Sequence, residues 1–401
     1  VSLISDIQRT GQYPPVSINI FPLNGSNANS FLSSGSFLLK NFIKYDFTQS
    51  VLVPASAFSF SFAAPDDPAP FQKYFSEGDV VQLSGNKTTL ATGLIDEVEV
   101  ENDADGGEMV SVHGRDLLGQ FVDQDAISMD SKPFWGNKVT IQVVFNQLQV
   151  DTRIKGLSLQ QAPGLPYLFA TEPADSKMTC LQRFLEPLNC IAWMLPDGTL
   201  RIGRPNMAQA STQSWYLIKA KRIANVMNIK SSFAAATIPN VIVPIFTSQE
   251  NVTNIVGPQQ AVVNASRGPN NLLQLGHRVL KTILWSSPDS SSAQDLSEVN
   301  QLQVAGGNLF GALAKREIAK QNVKEVGVVI SVPGHYNDDG TPITIDSMAK
   351  ITHDRGNLDE NMYCHTVTYT FDPVGGQRTT AYFCKAGTIV GDIAAPPGVS
   401  T

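Results

Sequence analysis

Strict alternation of apolar and polar residues runs through the first 125 positions, and it constrains the fold more than any other feature. In AFSFSFA, Phe58, Phe60 and Phe62 share one face while Ser59 and Ser61 take the other. In LIDEVEVE, Val98 and Val100 oppose Glu97, Glu99 and Glu101, and Val110 and Val112 resume the pattern beyond a DADGG turn. Successive side chains of a strand point to opposite faces, so a period of two describes half-buried strands. Joined by Gly/Asp/Asn turns, such strands make an antiparallel sheet or a small barrel.

Composition agrees with a folded, β-rich chain. Of 401 residues only 16% are charged against 42% apolar, and 30 Gly and 24 Pro punctuate the sequence. A coiled coil would be rich in Ala, Glu, Lys and Leu, and charged disorder would lack the Val, Ile, Leu and Phe present here. At about 150 residues per domain, the length sets an expectation of two to three domains.

The pattern changes after Asp125. In 137–150, Val139, Val143, Val144 and Leu148 fall at helical spacing,. Further on, Met178, Leu181, Leu185 and Leu188 predict a short amphipathic helix with Ser176 as its N-cap,. A hairpin follows, IAWML and TLRIG, turning at Pro196, Asp197 and Gly198,. From about Trp215 the β pattern returns. A polar stretch at 247–271 reads as a loop, and 293–321 as a long helix with Leu302, Leu309, Phe310 and Leu313 in its buried stripe. Val326, Val328, Ile330 and Val332 then share a strand face, and Thr366, Thr368 and Thr370 alternate with Val367, Tyr369 and Phe371. We therefore expect a mainly β protein with α+β elements: a β-barrel domain at 1–125, an α+β domain at 126–215, a second β-barrel domain at 216–390 carrying the long helix, and a tail at 391–401.

No Walker A loop, GxGxxG, HExxH or GxSxG motif is present,. The five histidines (His113, His277, His335, His353, His365) share no local motif, and a single polar position on a strand accounts for each. Asp103, Asp105 and Glu108 resemble half of a calcium loop, but the twelfth position, where an EF-hand needs Glu, is Gly114,. We expect no catalytic residue, no cofactor and no metal. Cys180, Cys190, Cys364 and Cys384 are too widely spaced for a disulfide framework or a zinc site,. Cys364 and Cys384 flank a hairpin and could approach each other, as a bridge or as reduced core thiols. No leader pattern and no apolar run of bilayer length is legible, and folding in a reducing cytosol is the expectation.

Charge is unevenly placed. The net charge of −7 divides into −10 over 1–125, +2 over 126–215 and +1 over the rest. A chain of that sign does not wrap nucleic acid electrostatically. Glu97, Glu99 and Glu101 instead suit either a solvated strand face or the wall of an aqueous conduit.

The order of these elements resembles the baseplate hub proteins of phage tails and related contractile injection machines, the tail-tube-like, late control protein D family. The likeness is carried by 75–123, where a strand, a hairpin and "V-x-G-R-D-L" (Val112, Gly114, Arg115, Asp116, Leu117) lead to Asp123. It continues in the helix, D-G turn and "L-x-I-G-x-P" strand (Asp197, Gly198, Leu200, Ile202, Gly203, Pro205), and in the last β region. The polar insertion at 247–271 and the lack of a lysozyme-like or LysM-like appendage depart from that pattern. The resemblance implies two tail-tube-like barrels per chain. It implies a homotrimer joining a six-fold tail tube or distal tube protein to a three-fold spike or tip protein among other baseplate proteins. DNA would pass without specific binding, the chain would have no catalysis of its own, and it would sit in a virion baseplate assembled in the bacterial host cytoplasm. Under it, Glu97, Glu99, Glu101 and Asp103 are candidate lumen-facing residues. The competing classes are a β-rich cell-wall-degrading glycosidase or peptidase and a carbohydrate- or receptor-binding tail protein.

Overall fold

The computed structural model describes residues 15–22, 37–39, 42–63, 76–86, 88–103, 107–127, 135–160, 167–171, 174–185, 188, 190–207, 209–211, 213–221, 223–233, 241–247, 263–264, 280–286, 326–337 and 339–385. The expected helix at 293–321, most of the expected loop at 247–271 and the tail at 391–401 lie outside them.

The alternating segments form the strands they predict. The first β region runs β1 (Val16–Phe21), β2 (Phe37–Leu39), β3 (Phe42–Ser50), β4 (Ala57–Ala63), β5 (Val80–Gly85), β6 (Thr88–Asp103) and β7 (Gly107–Asp116). In β4, Phe58, Phe60 and Phe62 are all buried, and their rings stack in series with Phe47 of β3; Phe47 and Phe58 lie 4.8 Å apart and nearly parallel. Burying each such ring contributes on the order of 2–3 kcal/mol. Ser59 and Ser61 point the other way, as the period of two requires.

An α+β unit follows, with α1 (Gly119–Asp123), β8 (Trp135–Val139), α2 (Ile141–Leu148), β9 (Gly156–Gln160), β10 (Tyr167–Ala170), α3 (Lys177–Leu185), β11 (Ile191–Met194) and β12 (Thr199–Gly203). The spacing at 137–150 predicted one helix, but 135–139 is a strand and the helix starts at Ile141. Thr140 is the reason: its backbone is extended, and its side chain accepts from Val143 N–H as the N-cap,. The buried face is then Ile141, Val144, Phe145 and Leu148, with Val143 exposed. In α3 the Ser176 hydroxyl accepts from Thr179 N–H at 3.1 Å, which is the expected cap, and Met178, Leu181, Leu185 and Leu188 are buried.

The chain returns to strands with β13 (Gln213–Ile218), β14 (Ile223–Ala224), β15 (Asn228–Phe233), β16 (Val241–Thr247), β17 (Val263–Asn264), β18 (Leu280–Ser286), β19 (Val326–Pro333), β20 (Ser347–His353), β21 (Leu358–Asp372) and β22 (Gly376–Lys385). All of these but β16, β17 and β18 join the first region in one 14-stranded sheet, in the order β14-β13-β20-β21-β3-β4-β7-β6-β5-β1-β2, with β22, β19 and β15 branching from β21, while β17-β16-β18 form a sheet of their own. All its ladders are antiparallel except β13 with β20. Among the described residues the path ends at β2, β14 and β15 without a closing ladder.

The branch has a local cause. A register shift between Cys364 and Thr366 breaks β21, so its first half pairs with β20 and its second half with β3, while β22 follows its other edge. A bulge bends a strand and lets one strand serve two neighbours. The same register separates the two thiols. Cys364 lies opposite Phe383 and Cys384 opposite Tyr363, so the two side chains leave opposite faces of the sheet. All four cysteines are unbridged thiols and buried.

Two contacts lock the β regions and the middle unit together. Asp346 carboxylate oxygens accept from Tyr363 O–H at 2.8 Å, Gln160 Nε2 at 3.0 Å and Asn206 N–H at 3.2 Å. His335, fully buried, joins β3 to β22. Thr379 Oγ donates to the Gly334 carbonyl at 2.7 Å, so it accepts from His335 Nδ1–H at 2.9 Å. Nε2 is thereby left to accept from Tyr45 O–H at 2.6 Å. Burial holds His335 neutral, its pKa down at about 3, and raises that of Tyr45.

Candidate functional surface

The face of β6 that carries the glutamates is set by a single extra residue. Ile95 lies opposite Gly114 and Glu97 opposite His113, so Asp96 is bulged out between them. A one-residue slip exchanges the two faces of a strand. Before the bulge Ile95 points into the core; after it Val98 does, and Glu97, Glu99 and Glu101 point outward and are exposed.

The bulge is held by Arg115. Its guanidinium grips Asp96 through Nε at 2.7 Å and Nη2 at 3.2 Å, and Asp123, at the end of α1, through Nη1 at 3.1 Å and Nη2 at 2.5 Å. Two bidentate pairs on one planar cation fix direction as well as distance. They raise the Arg115 pKa and lower that of Asp123. The "G-R-D-L" run with its distant Asp is thus a clamp between hairpin and helix. Its glycine is required by packing, because the Phe58 ring lies where side chains at Gly93 and Gly114 would be.

Outward from β6, the rows of facing residues cross five ladders. Glu97 faces His113, then Ser59, Asp46, Thr370 and Arg378 on β7, β4, β3, β21 and β22. Glu99 faces Ser111, Ser61 and Lys44. Thr48 faces Thr368, with their hydroxyls 3.0 Å apart, and Ser50 faces Thr366 at 2.8 Å. The face opposite the core is therefore acidic along β6 and hydroxyl-rich across β4, β3 and β21, with Ser61 and Ser50 themselves buried. Glu99 Oε2 stands 3.9 Å from His113 Nε2 with both side chains well exposed, a pair worth little in water. The three glutamates lie together at two-residue spacing; Asp103 closes the strand opposite Gly107.

The sequence patterning located the glutamates and their common face but not the bulge that sets it. The signal is Asp96 with Glu97, two consecutive polar residues breaking the alternation after Ile95. The continuation of the face into hydroxyl rows required the pairing of β3 with β21, which no local pattern encodes. Among the described residues no cluster of His, Cys, Asp and Glu has the form of a metal site, and no helix is long and apolar enough to cross a membrane.

No protein-family model matches the sequence, and no curated relative does. Solved structures do match in fold. The tail protein from Neisseria meningitidis superposes with a TM-score of 0.69 at 18% identity, over 93% of this chain and 97% of that one. The 43 kDa tail protein of prophage MuSo2 from Shewanella oneidensis gives 0.68 at 14% identity, over 93% and 99%. A Francisella PdpA–VgrG complex contains a chain matching at 0.56 and 11% identity, over 97% of this chain and 60% of that one. The chain has the fold of these tail proteins, a β-rich architecture shared with a chain of the PdpA–VgrG complex.

Proposed function

We propose that this chain is a structural subunit of a phage-type tail baseplate. It is a homotrimeric hub that joins a six-fold tube to a three-fold spike and lines part of the DNA conduit. The observation that carries the reading is end-to-end correspondence: almost the whole of this chain matches almost the whole of two tail proteins, leaving little of either over. The matching chain in a PdpA–VgrG complex supports association with a spike or another tail component. The division into 1–125, 126–215, 216–390 and 391–401 belongs to the same proposal, with the first and third units as tube-like elements joined along β3 and β21. Glu97, Glu99, Glu101 and Asp103 are assigned to the lumen, where like charge and neutral hydroxyls disfavour adhesion of DNA.

Solution mass and electron microscopy of the purified chain test the proposal. A species of about three times the 43.4 kDa protomer, seen end-on as a three-fold ring with a central channel, is expected. A compact monomer, or cell-wall hydrolysis abolished by one Asp or Glu substitution, would overturn it.

A further inference from the structure

The core face of the first β region ends in a row that breaks its own pattern. Along β3 the inward positions are Tyr45, Phe47 and then Gln49. Along β4 they are Phe62, Phe60 and Phe58, preceded by Ser56. Along β7 they are Val110, Val112 and Gly114, followed by Asp116. Three adjacent strands thus finish an aromatic and aliphatic core with Gln49, Ser56 and Asp116, each at most 8% exposed. Polar residues at consecutive core positions cost stability unless they satisfy one another.

Part of that satisfaction is plain. Asp116 Oδ2 accepts from Ser56 N–H and Oδ1 from Leu118 N–H, both at 2.9 Å, and Asp116 N–H donates to the Ser56 carbonyl at 2.8 Å. These bonds anchor the 51–56 loop, which holds Ala55 at φ +61° and displays Leu52 and Val53 to solvent. Gln49 Oε1 is different: it is buried and has no hydrogen-bond donor among the described residues. It faces the same water-sized crevice as Asp116, walled by Phe58, Thr92 and Met194. Two acceptors, one of them a carboxylate, therefore share one small enclosed space; the Ser56 hydroxyl between them hydrogen-bonds Asp116 and leaves Gln49 Oε1 without a donor among the described residues.

We propose that Asp116 is a proton-binding site of the folded protein: its carboxyl, when protonated, donates toward Gln49 Oε1, directly or through one water, and closes the polar row from β3 to β7. The proton comes from solvent and returns to it, with no other bond made or broken. Among the described residues Asp116 is the one titratable side chain in the crevice wall; β3, β4, β6 and β11 contribute none. Among the described residues the charge acting on it is Arg115, which pulls weakly against protonation while engaged with Asp96 and Asp123. His365, whose carbonyl accepts from Val51 N–H, is held neutral by burial. Desolvation of Asp116 outweighs its hydrogen bonds and moves its pKa up to about 6,.

Thermal and denaturant unfolding of wild type, Gln49→Met, Asp116→Asn and the double variant, at about pH 5 and about pH 8, tests this. Gln49→Met is expected to raise the unfolding constant several-fold, up to about tenfold, at the lower pH, where the donor is present. At the higher pH it is expected to be neutral or stabilising, because two facing acceptors are no longer opposed. On the Asp116→Asn background, whose amide donates at every pH, Gln49→Met should cost the same at both. An equal cost at both pH values in wild type, or a pH-dependent cost that survives in Asp116→Asn, would overturn the proposal. Should Asp116→Asn fail to fold, carboxyl-carbon NMR of wild type decides: a midpoint near 6 supports the site, and one in the ordinary Asp range removes it.

Discussion

At Gly114 a Cβ would stand 2.0 Å from the Leu94 carbonyl oxygen and 2.4 Å from the Phe58 ring. The oxygen belongs to a paired strand and cannot yield, and the ring is fixed in a stack with Phe47. Gly114→Ala is therefore expected to lower stability by about 3 kcal/mol or more, the upper range of overpacking. A fall in the chemical-denaturation midpoint measures it, and an unchanged midpoint would remove the packing account of the "G-R-D-L" glycine. His335 supplies a second residue-scale prediction, in pH. Its folded pKa of about 3 lies below the unfolded value of 6.5, so between them the unfolded state binds more protons and stability falls as pH falls. At about pH 4.5 the loss is on the order of 2–3 kcal/mol. His335→Gln should flatten the slope of Tm against pH in that window; His365, with its pKa at about 4, contributes equally to both proteins and drops out of the comparison. An identical slope would mean that His335 is not buried neutral.

Elements whose boundaries rest on local chemistry were legible, and those resting on distant pairing were not. The Phe58–Phe60–Phe62 stripe, the Ser176 cap, the Asp197–Gly198 turn and the Thr366–Thr368–Thr370 face follow from period and turn residues alone. The helical spacing at 137–150 overshoots the helix because Val139, a buried strand residue, happens to lie four positions before Val143. Periodicity cannot tell a strand end from a first helical turn when a β-branched cap joins them. The joining of β3 to β21 depends on a bulge some 320 residues away in sequence, and alternation is the same whichever strand lies alongside. The acidic face was readable as a face; its continuation into hydroxyls was a consequence of that pairing. Gln49 sat unnoticed within an alternating strand, since its position in the core stripe matters only once Ser56 and Asp116 are seen in the same row.

For the assembled molecule, the outward face of β6 to β22 is either a wall past which DNA moves or a surface bathed in bulk solvent, and reversing its charge separates the two. Glu97, Glu99 and Glu101 are exposed, none is needed for the core, and the weak pairing of Glu99 with His113 is lost at little cost,. The triple variant Glu97→Lys, Glu99→Lys, Glu101→Lys should therefore fold with nearly wild-type Tm and form the same oligomer. In the proposed trimer the six-unit change per chain becomes about eighteen charges around the proposed channel, enough to turn a repelling wall into an adhesive one. Short duplex DNA should then bind the variant, with affinity falling steeply as salt rises, and not the wild type. Particles assembled with the variant should release DNA more slowly. Unchanged release, together with an unchanged oligomer, would place these glutamates on an outer surface and leave the hydroxyl rows of β4, β3 and β21 without a role in passage.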